Sequence, residues 1–110
     1  VVYTGTHDNE TVYGWVKGLS KTEKVLMGEY FDHPGADDKK LSRILVRAGV
    51  SSTAELCVIP LQDYLLLDNR ARINKPSTLG TNWRWRMDKG MLTDALARDI
   101  FRLGRMFSRC

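Results

Sequence analysis

Val1-Val2-Tyr3-Thr4-Gly5-Thr6-His7-Asp8-Asn9 runs from apolar residues through a small-residue turn into three polar ones. Val1 to Tyr3 read as a short strand, and the polar groups then stand directly off its end. A second unit of the same kind is Ala54-Glu55-Leu56-Cys57-Val58-Ile59, closed by Pro60 and followed by Leu61-Gln62-Asp63. Helical patterns fill the stretch between them. Asn9 or Thr11 caps a helix to about Lys17, with Val12, Trp15 and Val16 on one apolar face. Ser20-Lys21-Thr22-Glu23 is a capping box for a helix through Tyr30. Pro34-Gly35 breaks the chain. Asp37 and Asp38 then open a helix with Leu41, Ile44, Leu45 and Ala48 at helical spacing and Gly49 as its expected C-cap. Strands so far apart, with helices between them, make a parallel crossover rather than a hairpin. The class is therefore α/β.

Beyond the second strand, Leu61 to Leu67 read as a helical turn and Arg70 to Arg86 as irregular chain. Leu92, Leu96, Ile100, Leu103 and Phe107 predict a closing amphipathic helix, with Arg98, Arg102, Arg105 and Arg109 mainly on its other faces. Two parallel strands do not make a domain alone, so the chain reads as the C-terminal piece of a larger α/β protein.

Composition narrows the function. With 43% hydrophobic and 27% charged residues in 110, the chain is globular in type and at most one domain. Its longest uncharged apolar run, Leu56 to Leu61, is too short to span a membrane. Cys57 and Cys110 form no disulfide framework, and His7 and His33 are too far apart to suggest a metal site. No cofactor or metal is expected, and a reducing, cytoplasmic setting is the simpler reading. Residues 1–69 carry 7 basic and 10 acidic side chains, whereas residues 70–110 carry 10 basic and 3 acidic. That basic end raises nucleic acid as a partner; a solvated helix face plus ligand-binding arginines explains it equally.

In parallel α/β folds, chemistry gathers at the C-terminal ends of strands. There lie Thr6-His7-Asp8-Asn9 after the first strand, and Gln62-Asp63 followed by Asn69, Arg70 and Arg72 after the second. Such a set suits a hydroxyl-rich ligand, with Trp15, Trp83 and Trp85 offering flat faces to sugar rings. Each also has a structural reading. Asp8 caps the following helix, His7 is a satisfied polar residue, Gln62-Asp63 cap a short helix, and Trp83 and Trp85 share one face of an extended core segment.

The combination resembles a known family. Thr4-Gly5-Thr6-His7-Asp8-Asn9-Glu10-Thr11 with Gly14-Trp15, then Ile59-Pro60-Leu61-Gln62-Asp63, Ala71-Arg72-Ile73-Asn74 with Pro76, and Asn82-Trp83-Arg84-Trp85-Arg86 are similar to signatures of the 4-alpha-glucanotransferases, or amylomaltases. Family members often carry Met where this chain has Ile73, and Gly where it has Ser77 or Thr81.

The resemblance implies that residues 1–110 are the C-terminal part of a (β/α)₈ barrel, covering about its last two strands and closing helix, and not an independent domain. It implies transfer of an α-1,4-glucan segment to a sugar 4-hydroxyl with retention, on maltooligosaccharide or starch-type glucans. It makes Asp8 the carboxylate that stabilises the transition state, with His7 and Asn9 binding the same sugar. Gln62, Asp63, Arg72, Asn74, Trp83 and Trp85 would shape subsites or support them. The nucleophile and the acid/base would precede Val1, so the rest of the polypeptide would be required and Glu10 would not replace them. The alternatives are a hydrolytic relative of the alpha-amylase clan and a non-catalytic carbohydrate-binding or interaction module. Nucleic acid and membrane are not expected partners.

Overall fold

The computed structural model describes residues 1–110. Its sheet has two strands, β1 (Val2–Tyr3) and β2 (Cys57–Val58), paired in parallel with Val2 opposite Cys57 and Tyr3 opposite Val58. The parallel crossover expected from sequence is present, but β2 is shorter than the Ala54–Ile59 run.

Between the strands come α1 (Val12–Lys17), α2 (Lys21–Tyr30) and α3 (Asp38–Val50). Side-chain caps start all three: Thr11 accepts from the Gly14 N–H, Ser20 from Glu23 and Asp37 from Lys40. The capping box is complete, because Glu23 accepts in turn from the Ser20 N–H, and those bonds from Ser20 hold the Glu23 carboxyl below its ordinary pKa. Lys24 on α2 pairs with Asp38 at the start of α3. Val12, Val16 and Leu41 form one core cluster, with Met27, Ala36 and Leu45 against it, and Ile44, Val46, Val50 and Ala71 are also buried. Trp15, expected on the same face, is instead half exposed.

Gly49 is not the C-cap of α3. The helix runs on to Val50, and Ser51 caps it. Gly49 lies buried against Ile59 and Thr4, so its small size serves helix-on-strand packing. The carbonyls beyond α3 are met from the other end of the chain. The Arg109 guanidinium donates to the oxygens of Val50 (2.6 Å), Ser52 (3.0 Å) and Glu55 (3.3 Å). A cation there also suits the negative end of the α3 dipole.

After β2 come α4 (Leu61–Tyr64), a 3-10 turn over Asn69–Ala71, and α5 (Asp94–Met106), capped by Thr93. Leu92 and Phe107, counted in the last helix from periodicity, flank it. No residue of α5 is buried, and Phe101 and Met106 are more than half exposed. Only 14 of 110 residues are buried, and the radius of gyration, 14.6 Å, exceeds the ~13 Å of a compact chain this long. No helix is long and apolar enough to cross a membrane.

Gly14 fixes how α1 meets the 3-10 turn. A Cβ at Gly14 would overlap the Asn69 carboxamide. That carboxamide accepts from the Thr11 N–H at 3.2 Å and donates to Glu10 Oε1 at 2.8 Å. Gly14→Ala in the full-length protein should therefore cost about 1–3 kcal/mol of stability, through overpacking and the two lost bonds. Denaturant unfolding of the pair of proteins measures it; a change within about 0.5 kcal/mol means Asn69 swings away freely.

Candidate functional site

The loop after β1 holds its shape through Asn9. The Asn9 carboxamide oxygen accepts from the Thr6 N–H at 2.7 Å and the Thr6 hydroxyl at 2.9 Å, while the Asn9 N–H donates to the Thr6 carbonyl. Asn9 thereby closes a tight Asx-type loop. Its carboxamide oxygen is occupied within the loop, and its Nδ2 amide stands outside these bonds. The turn leaves His7 and Asp8 projecting, with side chains about half exposed. Asp8 does not cap α1, since Thr11 does.

Asp8 has partners on the later chain. Asn74 Nδ2 donates to Asp8 Oδ1 at 2.7 Å, and His7 Nε2 lies 3.3 Å from Asp8 Oδ2. Arg72 donates through Nη2 to the Asp8 carbonyl at 2.7 Å and through Nε to the Asn74 carbonyl at 2.9 Å. The Asn74 N–H closes the set by donating to the His7 carbonyl at 3.1 Å. Trp83 lies against His7, with ring centroids 5.1 Å apart. Residues more than 60 positions apart in sequence thus meet around one carboxylate.

The segment from Arg72 to Trp83 is held for this purpose by its own bonds. The Trp83 N–H donates to the Ile73 carbonyl at 2.7 Å, and Asn82 bonds to Lys75 and Thr78. Ser77 and Trp83 both have left-handed backbone, at φ 63° each. Such a conformation costs a non-glycine residue on the order of 1 kcal/mol. Ser77 occupies a position where the resembled family often has glycine, so this loop carries strain that glycine would avoid. The turn at Trp83 also breaks any extended run. Trp83 and Trp85 do not share a core face: Trp83 is 64% exposed beside His7, and Trp85 lines a separate cleft with Arg70, Lys75 and Arg84.

Gln62 and Asp63 face inward. Gln62 Nε2 donates to the Ala71 carbonyl at 3.3 Å. Asp63, only 2% exposed, accepts from the Thr4 hydroxyl at 2.6 Å and the Val12 N–H at 2.9 Å. It ties the end of β1 to the first turn of α1, where the helix dipole favours a carboxylate. Burial pushes its pKa up, and those two hydrogen bonds pull against the shift. Asp63 thus caps α1 rather than its own short helix. Thr4, its partner, was not among the site residues expected from sequence, and its position three residues before the polar triplet gives no sign of the bond.

The other nearby acids are engaged. Glu10 accepts from Asn69, and Asp68 takes a paired grip from Arg70 that holds its carboxyl below the ordinary range. Asp8 is exposed and held in one orientation by Asn74, which suits a carboxylate that receives hydroxyl donors or faces positive charge.

Comparison with known proteins identifies the family. The 4-alpha-glucanotransferase family profile matches residues 1–93. The chain is 46% identical over 111 aligned positions to the 4-alpha-glucanotransferase of Clostridium butyricum, covering 100% of this chain and 22% of that protein. It is 43% identical to the chloroplastic/amyloplastic enzyme of Oryza sativa subsp. japonica, covering 94% of this chain and 17% of the relative. A solved amylomaltase from Streptococcus agalactiae, in complex with acarbose, superposes with a TM-score of 0.87 at 28% identity, covering 97% of this chain and 21% of that one. The chain spans about a fifth of the length of these relatives. With the family profile matched over most of its length, the chain belongs to the 4-alpha-glucanotransferase family.

Proposed function

We propose that the protein containing this chain is a retaining 4-alpha-glucanotransferase acting on maltooligosaccharides or starch-type α-1,4-glucans, and that residues 1–110 form the closing part of its (β/α)₈ barrel. The observation that carries the reading is the exposed His7-Asp8 pair at the C-terminal end of a parallel strand, oriented by Arg72, Asn74 and Trp83. Uncovered apolar surface supports the barrel assignment. A cleft of about 650 Å³ beside β1 is lined by Tyr3, Trp15, Leu45 and Ala48 together with polar residues such as Thr6 and Glu10, and in this reading another part of the barrel covers it.

Retention at the anomeric carbon requires two displacements. A nucleophilic carboxylate first forms a glycosyl ester while an acid protonates the leaving oxygen; a sugar 4-hydroxyl then attacks, deprotonated by the same residue. Both groups belong to other parts of the polypeptide in this reading, because Glu10, Asp63 and Asp68 are committed to structural bonds. Asp8 accepts hydrogen bonds from sugar hydroxyls and favours the positive charge of the oxocarbenium-like state. Its orientation before substrate arrives reduces the reorganisation needed at the barrier. His7 adds a hydrogen bond to the same ring. Arg72 and Asn74 hold the loop, Trp83 backs His7, and Trp85 stands farther off as a wall for an acceptor.

Maltotriose separates the alternatives. A transferase yields glucose plus longer oligosaccharides, a hydrolase yields only shorter sugars, and a binding module leaves maltotriose unchanged. His7→Ala in the full-length enzyme should reduce kcat/KM roughly 10-fold, less than loss of the Asp8 charge, since a neutral hydrogen bond contributes about 0.5–1.5 kcal/mol. A larger loss than Asp8→Asn, accompanied by unfolding, makes His7 structural.

A further inference from the structure

We infer that Asn74 is a positioning residue for Asp8, and that Arg72 locks the two loops that carry them. The inference rests on the reading of Asp8 as the transition-state-stabilising carboxylate and assigns what sets its direction. Asp8 stands on an exposed loop, about half accessible, where a carboxylate would otherwise rotate about two side-chain bonds. One of its oxygens is taken by the Asn74 amide at 2.7 Å, and His7 lies 3.3 Å from the other.

The donor is an amide, not a cation. An arginine or lysine at that place would neutralise the charge that the reaction uses, whereas an amide orients the carboxylate and leaves it anionic. The remaining lone pairs stay open to sugar hydroxyls. Asn74 is itself fixed through its backbone. Its N–H donates to the His7 carbonyl at 3.1 Å, and its carbonyl accepts from Arg72 Nε at 2.9 Å. The same guanidinium reaches the Asp8 carbonyl through Nη2 at 2.7 Å. Only a planar fork spans both carbonyls in this way, which a lysine ammonium does not reproduce. Neither Arg72 nor Asn74 needs to touch the substrate for this role.

The test is a double-mutant cycle in the full-length enzyme, read by maltotriose disproportionation. Asn74→Ala should lower kcat about 10- to 100-fold with KM changed less than threefold. Asn74→Asp removes the donor and also sets a second carboxylate against Asp8, so it should lose more at neutral pH. In an Asp8→Asn background, Asn74→Ala should cost less than threefold more, because the group it orients is already disabled. Arg72→Lys should lower kcat about 5- to 20-fold.

Asn74→Ala or Asn74→Asp within threefold of wild type overturns the inference, as does a full additional loss in the Asp8→Asn background, which marks a structural role. Circular dichroism and unfolding of each variant separate misfolding from misorientation; should Asn74→Ala unfold, the uncharged Asn74→Leu, of similar size and without the donor, carries the decision by the same thresholds. A small effect of Asp8→Asn alone overturns the reading of Asp8 instead, so the two failures are distinguishable.

Discussion

Asp8→Asn in the full-length enzyme should lower kcat/KM at least ~10²-fold, on the order of 3 kcal/mol of transition-state stabilisation. The change is nearly isosteric. Asn74 Nδ2, now 2.7 Å from Asp8 Oδ1, would still face an amide oxygen, so the loop keeps its shape while the charge is lost. What disappears is the anion beside a sugar ring that becomes positive, together with one of the acceptors for its hydroxyls. Ground-state binding should suffer less than turnover, because the charge matters most when the ring is oxocarbenium-like. Initial rates of maltotriose disproportionation, with KM and kcat resolved, measure the effect. A loss below tenfold in a folded variant makes Asp8 a structural residue whose bonds to Asn74 and His7 merely pin two loops together.

The parts of this architecture that depend on neighbours in sequence were legible without coordinates. Ser20 and Glu23 cap each other within one turn, Asp37 opens α3, and the polar run after β1 follows directly from its strand. The parallel pairing of Val2 with Cys57 was legible too, because helices fill the intervening chain. What escaped depends on distant partners. Gly49 looks like a helix stop, and only the packing of α3 on Ile59 and Thr4 explains a glycine inside the helix. Asn9 reads as a polar group off the strand end, and the bonds by which its carboxamide oxygen closes the loop on Thr6 do not show in the sequence. Arg109 reads as one more solvated arginine, yet it gathers three carbonyls beyond α3. At the site, the motif resemblance pointed to Asp8, Arg72 and Asn74 separately. Their meeting at Asp8, Asn74 on its carboxylate and Arg72 on its main-chain carbonyl, goes with a 3-10 turn and two left-handed residues in the 72–83 loop, which no periodicity announces.

Residues 1–110 produced alone should neither transfer glucan nor unfold cooperatively. Each strand of the sheet has one neighbour and an open edge, where a barrel would close every edge. The buried hydrophobic side chains are seven, from Val12 to Ala71, and Leu96, Ile100, Leu103 and Phe107, at one-face spacing along and just past α5, are only partly buried. A core this small sets little hydrophobic stabilisation against the conformational entropy of 110 residues. The loop strain at Ser77 and Trp83 adds on the order of 1 kcal/mol each to what the core must offset. Activity fails for a separate reason, since Glu10 and Asp68 are held by Asn69 and Arg70, and Asp63 is buried. Hydrogen exchange and denaturant unfolding of the purified chain, beside a maltotriose assay, test both halves. Well-protected amides with several kcal/mol of cooperative stability would show that α1, α3 and the strand pair suffice as a folding unit. Transfer that survives purification and vanishes on Asp8→Asn would mean that a second carboxylate in this segment, Glu10 first, leaves its structural bond to do proton or nucleophile chemistry.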